Sequence, residues 1–409
     1  MALLPITPKS GVYTDGTQYS SKGAWIDSNL IRFENGILTP MGGWEKIRST
    51  PLTGAPIGMF SWTDNDGNKI LAVGTREKVY VYYDKTLTWY DITPTSSFIT
   101  PKSQDPLGYG AYNYNVEAYG TARSQSGLSF ATHSYSFDNW GEHLLFCCSS
   151  DGRIFAWRPD AGSGSPDATG IVLSNAPTSC NAVVVSNERH VIALGAGGDP
   201  RKIQWSSREN NNLWAAASTN TAGSLQIPMA SRALTAVKHN REIVILSDTG
   251  ASSLYFTGQP FVYGIRSIAT NAKPISARAV VSVGSSIMWL GENSIFVYDG
   301  TVRELPCPVS TTMFDNINFQ YKGSCNAGHI SAYNEVIFFY PSGTSQTPNK
   351  YIKYQYLDGL WDIGTLSRGC FIDEGVFDYS IAADPDGYVF YHEKGNLFNS
   401  FGLGAAEPY

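Results

Sequence analysis

The sequence is poor in charge and has no cluster of basic residues. Charged side chains make up 16% of the 409 residues, below the ~25% of typical globular proteins, and the formal net charge is −6. Proteins that hold nucleic acid by neutralising its phosphates need clustered lysine and arginine, so the composition argues against that mode of binding. It is compatible with a wall past which nucleic acid slides without being held.

The chain also lacks the signals of export, membrane insertion and metal binding. No window approaches the roughly 18 consecutive apolar residues of a membrane span. The N-terminal stretch carries two prolines and no basic residue ahead of its apolar part, unlike a signal peptide. The six cysteines show no CxxC spacing and the six histidines no HxH or HxxxH spacing. We therefore expect a protein with buried, reduced thiols, no metal site and no membrane span.

Signatures of catalysis are missing as well. The segment 162–165 lacks the strand and helix that flank a nucleophile elbow, and 195–198 is followed by Asp-Pro instead of a phosphate-binding helix. The acidic loops at 64–68 and 384–388 lack the downstream glutamate of a calcium loop, so we interpret both as hairpin turns. The sequence predicts no catalytic residue, no cofactor and no enzymatic activity.

Glycine, tyrosine and a repeated strand pattern are what the sequence has in abundance. Its 40 Gly, 24 Tyr and 42% hydrophobic residues favour turns and strands around a sizeable core. Short apolar segments recur at spacings of roughly 45 to 50 residues, which is typical of propellers, except for one longer gap after the first segment. They begin near Ile70, Leu144, Val191, Ile243, Ile287, Val336 and Ser380.

A turn and a second segment of alternating aromatic and polar residues follow each apolar segment. Asp-Gly turns such as that in 149–153 suit tight hairpins. Several units end in a Trp-bearing segment, around Trp89, Trp214 and Trp361, and we expect these indoles to fill gaps between neighbouring sheets. A hairpin plus two further strands is the content of one blade. The pattern predicts an all-β fold, a β-propeller of six or seven blades, with a pair of β-sandwiches as the alternative.

Two parts of the chain fall outside this period. Residues 1–55 contain an alternating stretch, 25–33, that is predicted to be one strand, and we interpret this part as an N-terminal arm or as a strand that closes the ring. The propeller body is assigned to residues 56–409, with an insertion, a loop or hairpin rich in Gly and Tyr, at 101–135. Exposed tyrosines make large contacts at a small cost in entropy.

We expect the arm and the insertion to contact other subunits, the alternative being that both pack on their own propeller. The candidate interface residues are Trp25, Arg32, Phe33, Tyr109, Tyr112, Tyr114 and Tyr119.

The segment 11–47 resembles the opening of bacteriophage tail-hub and packaged-DNA stabilisation proteins. Residues 107–124 are similar to glycine-tyrosine loops of phage structural proteins, and 209–228 and 243–268 to central blades of the tail-hub family. The resemblance implies a homo-oligomer, a hexameric ring in the virion below the portal and adaptor of a short-tailed phage, made in the bacterial host cytoplasm. Its most specific phrase is carried by Asn29, Arg32, Gly36, Leu38, Pro40 and Gly42.

The resemblance also implies a function. The chain would be a structural subunit of the tail nozzle or hub, forming part of the channel for genome retention and ejection, with DNA passing through the lumen without specific binding. Its partners would be adaptor, portal and tail fibre proteins. Two other classes stay open: a carbohydrate-binding or receptor-binding propeller whose aromatic residues stack on sugars, and a cellular interaction scaffold, against which the missing Gly-His and Trp-Asp signatures speak.

Overall fold

Seven β-sheets follow one another along the chain and form a seven-bladed β-propeller. The structure is a computed structural model. It describes residues 8–16, 19, 21, 23–104, 132–162, 164–228, 230–395, 397–399 and 407–408. The predicted all-β propeller is confirmed, and of the two predicted blade numbers the larger is correct.

The arm contributes five short strands ahead of the first blade. The first two pair in parallel, the next two form an antiparallel hairpin, and the fifth joins the last blade of the propeller. They are β1 (Lys9–Val12), β2 (Ala24–Trp25), β3 (Ile31–Glu34), β4 (Ile37–Pro40) and β5 (Trp44–Lys46).

Blades 1 to 6 are four-stranded antiparallel sheets in which neighbours along the chain are neighbours in the sheet. The first strand of each blade lies innermost and contacts the first strands of both adjacent blades around the ring. In chain order the strands are β6 (Pro56–Thr63), β7 (Lys69–Thr75), β8 (Val79–Tyr83) and β9 (Thr88–Asp91) in blade 1; β10 (Tyr135–Trp140), β11 (His143–Cys148), β12 (Ile154–Trp157) and β13 (Ile171–Val172) in blade 2; β14 (Ala182–Val185), β15 (Val191–Leu194), β16 (Lys202–Trp205) and β17 (Gly223–Gln226) in blade 3; β18 (Ala233–His239), β19 (Glu242–Ser247), β20 (Gly250–Gly258) and β21 (Val262–Thr270) in blade 4; β22 (Val280–Val283), β23 (Ser286–Leu290), β24 (Ile295–Tyr298) and β25 (Val302–Leu305) in blade 5; β26 (Asn326–Ile330), β27 (Glu335–Tyr340), β28 (Lys350–Gln355) and β29 (Leu360–Gly364) in blade 6.

Blade 7 is built from both ends of the chain. Its inner strands are β30 (Cys370–Ile372), β31 (Ile381–Ala383) and β32 (Val389–His392). Strand β5 of the arm pairs antiparallel with β32, in a register that sets His392 opposite Trp44. Beyond β5 the sheet continues through β33 (Leu397–Asn399) and β34 (Glu407–Pro408). An N-terminal strand therefore completes the last blade.

Helices are few and lie in the connections. Among the described residues there is one α-helix, α1 (Ser310–Asn316), between blades 5 and 6. The 3-10 helices are Pro101–Gln104, Ala196–Gly198, Phe319–Ser324 and Ser331–Tyr333.

The core is divided into seven clusters, one at each junction between adjacent blades. Strand β11 shows why. Leu144 and Phe146 point towards blade 1, whereas Leu145 and Cys147 point towards blade 3. Because successive side chains of a strand face opposite sides of the sheet, a strand buried on both sides must be apolar at every position. This explains the recurrent apolar segments, which are the second strands of the blades.

One prediction for the arm is wrong. The stretch 25–33 does not form a single strand, because β2 ends at Trp25 and β3 begins only at Ile31. Between them Leu30 adopts a φ of 54°, and the Ser28 hydroxyl donates to the backbone oxygen of Ile363 at 2.7 Å. The chain turns there because its polar residues bind blade 6. Of the predicted insertion, residues 105–131 lie outside the described residues.

Candidate functional site

The arm is fastened to the propeller by a buried arginine. Arg32 on β3 is only 3% exposed. Its Nε and Nη2 donate to the two carboxylate oxygens of Glu335 at 3.2 and 3.0 Å, and its Nη1 and Nη2 donate to those of Glu393 at 3.0 and 2.8 Å. The ring of Tyr333 covers the guanidinium at 3.3 Å. Two bidentate carboxylates match the planar fork of arginine, so Arg32 links the arm to blades 6 and 7.

A buried lysine extends this network. Lys353 Nζ lies 2.8 Å from Glu335, 3.3 Å from Asp362 and 3.0 Å from the backbone oxygen of Ile31, to which it donates. Burial raises the pKa of Asp362 to about 7. Among the described residues its Oδ1 has no hydrogen-bond partner. The arm is therefore held by a cluster of five ionisable side chains that are almost withdrawn from water.

Two further residues of the family-like phrase dock the arm. Asn29 accepts a hydrogen bond from the backbone N–H of Thr365 at 2.8 Å. The backbone N–H of Gly42 donates to Glu393 Oε2 at 2.8 Å, and a Cβ at Gly42 would lie 2.8 Å from the Cα of Glu393. Since real Cβ atoms do not approach so closely, only glycine fits there.

The predicted interface residues differ in their exposure. Arg32 and Phe33 are buried, and Phe33 belongs to the core cluster between blades 5 and 6. Trp25 is 37% exposed. The sequence analysis expected all three to contact other subunits, with packing of the arm on its own propeller as the alternative. The remaining candidates, Tyr109, Tyr112, Tyr114 and Tyr119, lie outside the described residues.

The arm exposes large apolar side chains, of which the sequence analysis named only Trp25. Besides Trp25, these are Ile26 on the turn after β2, and Ile37 and Leu38 on β4, with Ile37 66% exposed. We refer to these four residues as the arm patch. Two acidic residues, Asp27 and Glu34, are exposed beside them, and so is one basic residue, Lys9, which pairs with Ala24. A large apolar area rimmed by polar residues is typical of interaction surfaces.

A second exposed apolar group lies on the β20–β21 hairpin of blade 4, and the sequence analysis also missed it. Phe261 at the turn is 78% exposed, and Tyr255 and Phe256 are exposed on β20. The aromatic run in 255–263 is a visible signal, but its pattern also fits a strand of an ordinary blade. We refer to Tyr255, Phe256 and Phe261 as the hairpin patch.

The innermost strands surround a cavity of about 470 Å³ on the propeller axis. In its lining, Lys238 Nζ lies 2.7 Å from Asp138, which also accepts the backbone N–H of Val185 at 2.7 Å. Arg278 also lines the cavity and donates to the backbone oxygens of Gly369 and Gly323 at 3.2 and 2.9 Å. Burial lowers the pKa of this guanidinium. Arg278 thus ties together the connections that lead into blades 5, 6 and 7.

Histidines and acidic loops are engaged in local structure. His190 contacts the hydroxyls of Thr221 at 3.2 Å and Tyr263 at 3.1 Å, and burial lowers its pKa. In the loop 64–68, Asp64 accepts the backbone N–H groups of Asp66 and Asn68, as expected for a turn.

Within the described ranges, no group of three His, Cys, Asp or Glu is placed to hold a metal ion. In the same residues, no helix has the length and hydropathy to cross a membrane.

Comparison with known proteins identifies the fold but no family. No protein-family model and no curated protein match the chain. A catalytically inactive virginiamycin B lyase from Staphylococcus aureus with quinupristin is 8% identical, with a TM-score of 0.50 over 85% of this chain and 97% of that chain. A streptogramin B lyase is 9% identical, with a TM-score of 0.48 over 85% and 97%. The Cps50 (Swd1) β-propeller domain of Myceliophteria thermophila is 9% identical, with a TM-score of 0.47 over 85% and 99%. At these identities the likeness shows the fold alone.

Proposed function

We propose that the chain is a structural subunit of a bacteriophage tail, in a hexameric nozzle or hub ring below the portal and adaptor. In this role it forms part of the channel that retains and ejects the genome, and its work is mechanical and not catalytic. Its location is the virion, and tail fibre proteins are further partners.

The observation that carries the proposal is that the arm is fastened to the propeller and yet exposes large apolar side chains. Arg32 fastens it to Glu335 and Glu393, whereas the four residues of the arm patch are exposed to solvent. A flexible arm would lose entropy on binding, but a fastened arm has already lost it when the chain folds. Apolar surface held in a fixed position suits a permanent contact between subunits.

The resemblance supports the same role. Asn29, Arg32 and Gly42, which belong to the phrase shared with tail-hub proteins, are residues that dock the arm. The low content of charge fits a chain with large buried contacts, since interface cores are depleted of charged residues. A net charge of −6 fits a wall that DNA passes without being held.

Light scattering on the purified full-length chain at micromolar concentration, followed by negative-stain imaging, tests the proposal. We expect a ring-shaped oligomer with one mass. A chain that stays monomeric over the accessible concentrations overturns the proposal. A monomer that binds glycans on an array would favour the carbohydrate-binding alternative instead.

A further inference from the structure

The β20–β21 hairpin is longer than the corresponding pairs of the neighbouring blades. Both of its strands have nine residues. The two outermost strands of blade 3 and those of blade 5 have four residues each. The extra length carries the hairpin patch, with Phe261 at its turn. Aromatic side chains that a chain leaves exposed on one projecting element indicate a binding surface.

The root of the hairpin is braced, so the patch is held in place. The Tyr263 hydroxyl donates to Ser186 Oγ at 2.7 Å, which ties β21 to blade 3. On the other side, Glu242 accepts hydrogen bonds from the hydroxyls of Ser253 and Tyr298, which ties β20 to β19 and to blade 5. A surface that is already ordered loses little conformational entropy on binding.

The charge beside the hairpin patch is basic. Arg266 on β21 and Arg241 next to β19 are both exposed, and they outnumber the one acid paired there, Glu242, which lies 3.3 Å from Arg266. The net charge beside the arm patch has the opposite sign, because two acids, Asp27 and Glu34, and one base, Lys9, are exposed there. Apolar surfaces with opposite charge at their rims select each other and reject like-charged partners.

We propose that the hairpin patch of one copy binds the arm patch of the next copy, a contact that rests on the proposed ring. Within one chain the two patches belong to different blades: the hairpin is part of blade 4, the arm packs on blades 6 and 7, and blade 5 lies between them. A contact between two different surfaces is heterologous, so it joins copies head to tail and closes a ring when the rotation between copies is a whole fraction of a turn.

Single charged substitutions test each side of this contact. Phe261→Asp on the hairpin and Ile37→Asp on the arm are each expected to weaken association about tenfold or more, measured by light scattering across a dilution series. The matched control is Leu87→Asp, which places the same change at a 73% exposed position of blade 1, outside both patches. We expect this control to assemble like the wild type.

Mixing the two variants distinguishes a head-to-tail contact from a symmetric one. Phe261→Asp keeps an intact arm patch and Ile37→Asp keeps an intact hairpin patch. Equal amounts of the two are therefore expected to form a dimer that neither forms alone. A mixture that stays monomeric overturns the pairing of these two patches.

A photo-crosslink gives a second readout that does not depend on the folding of a charged variant. With p-benzoylphenylalanine in place of Phe261 in the full chain, we expect irradiation of the oligomer to capture residues 23–40 of another copy. If the oligomer crosslinks elsewhere, or if the variants assemble like the wild type, this contact is overturned. The proposal of a ring is not affected by either result. A wild-type chain that is monomeric overturns the ring itself.

Discussion

Charge is unevenly balanced among the buried residues that hold the arm. Arg32 and Lys353 supply two positive charges, and Glu335 and Glu393 supply two negative ones. Asp362 is a third acid in the same cluster, and its carboxyl group has only a 3.3 Å contact with Lys353. Ionising it would add an uncompensated negative charge away from water, which is the reason its pKa rises to about 7.

This imbalance predicts a pH dependence for Asp362→Asn. The carboxyl has a pKa of about 3.9 in the unfolded chain and about 7 in the folded one, so the folded state binds the extra proton. Its contribution to the free energy of unfolding is fully present below pH ~4 and is lost as the pH rises through ~7. We therefore expect the free energy of unfolding of the variant, measured with urea, to rise relative to that of the wild type between pH 5 and pH 8. The rise is a few kcal/mol at most, at about 1.4 kcal/mol per pKa unit.

The control for this measurement is Asp358→Asn, an exposed carboxyl of the same blade. The stability of this variant relative to the wild type should not change between the two pH values. An equal response of both variants would contradict the assignment to Asp362.

Cysteine reactivity is predicted at the same scale. All six cysteines are free thiols, and five are buried. Burial raises the pKa of Cys180, Cys307, Cys325 and Cys370 to about 12, and that of Cys147 well above its usual value. Because the thiolate is the reactive form, a thiol reagent at pH 8 should modify the native protein slowly, Cys307 first, and all six residues in denaturant. Rapid modification of a residue other than Cys307 would contradict the described burial.

Among the elements, the β3–β4 hairpin depends on Arg32. Arg32→Met leaves Glu393 buried with no cation beside it, and removing one partner of a buried ion pair costs about 3–5 kcal/mol. We expect that loss in the free energy of unfolding by urea. The double variant Arg32→Met/Glu393→Gln should recover part of it, because the uncompensated charge is gone.

The matched control for the arm is Lys85→Met. Lys85 pairs with Asp66 at 3.4 Å, but both side chains are exposed. Exposed ion pairs contribute about 1 kcal/mol or less, so this variant should be close to the wild type in stability. Equal losses in the two variants would show that Arg32 does not hold the arm.

The blade strands could be predicted from the sequence, whereas the docking of the arm could not. A second strand such as β11 is apolar at every position because both faces are buried, and this local signal repeats. The contacts of Arg32 lie more than 300 positions away in the chain, at Glu335 and Glu393, and no local pattern reports them. The exposed aromatic residues of the long β20–β21 hairpin could not be predicted for a related reason. They are exposed because the outer strands of blades 3 and 5 are shorter, and this comparison is not visible in the local sequence.

At the scale of the whole molecule, closure of the seven-bladed propeller depends on β5. Removing residues 1–43 deletes β1 to β4 but keeps β5, whereas removing 1–48 also leaves β32 without β5, one of the two strands with which it pairs. We expect the shorter chain to have the lower melting temperature and to be cleaved faster by protease within blade 7, because an unpaired strand edge frays. Melting curves and proteolytic fragments of the two truncations check this, and identical behaviour would contradict it.

Strand β5 also imposes an order of events during synthesis. Residues 44–46 leave the ribosome before any blade does, but the strand they pair with, Val389–His392, is made only after the first six blades. Pairings between residues so distant in sequence form slowly, because a long loop must close first. Every nascent chain that stops before residue 389 is consequently an unclosed propeller with two unpaired strand edges. This pairing thus acts as a check on synthesis, since only a chain that extends past residue 392 can close the propeller.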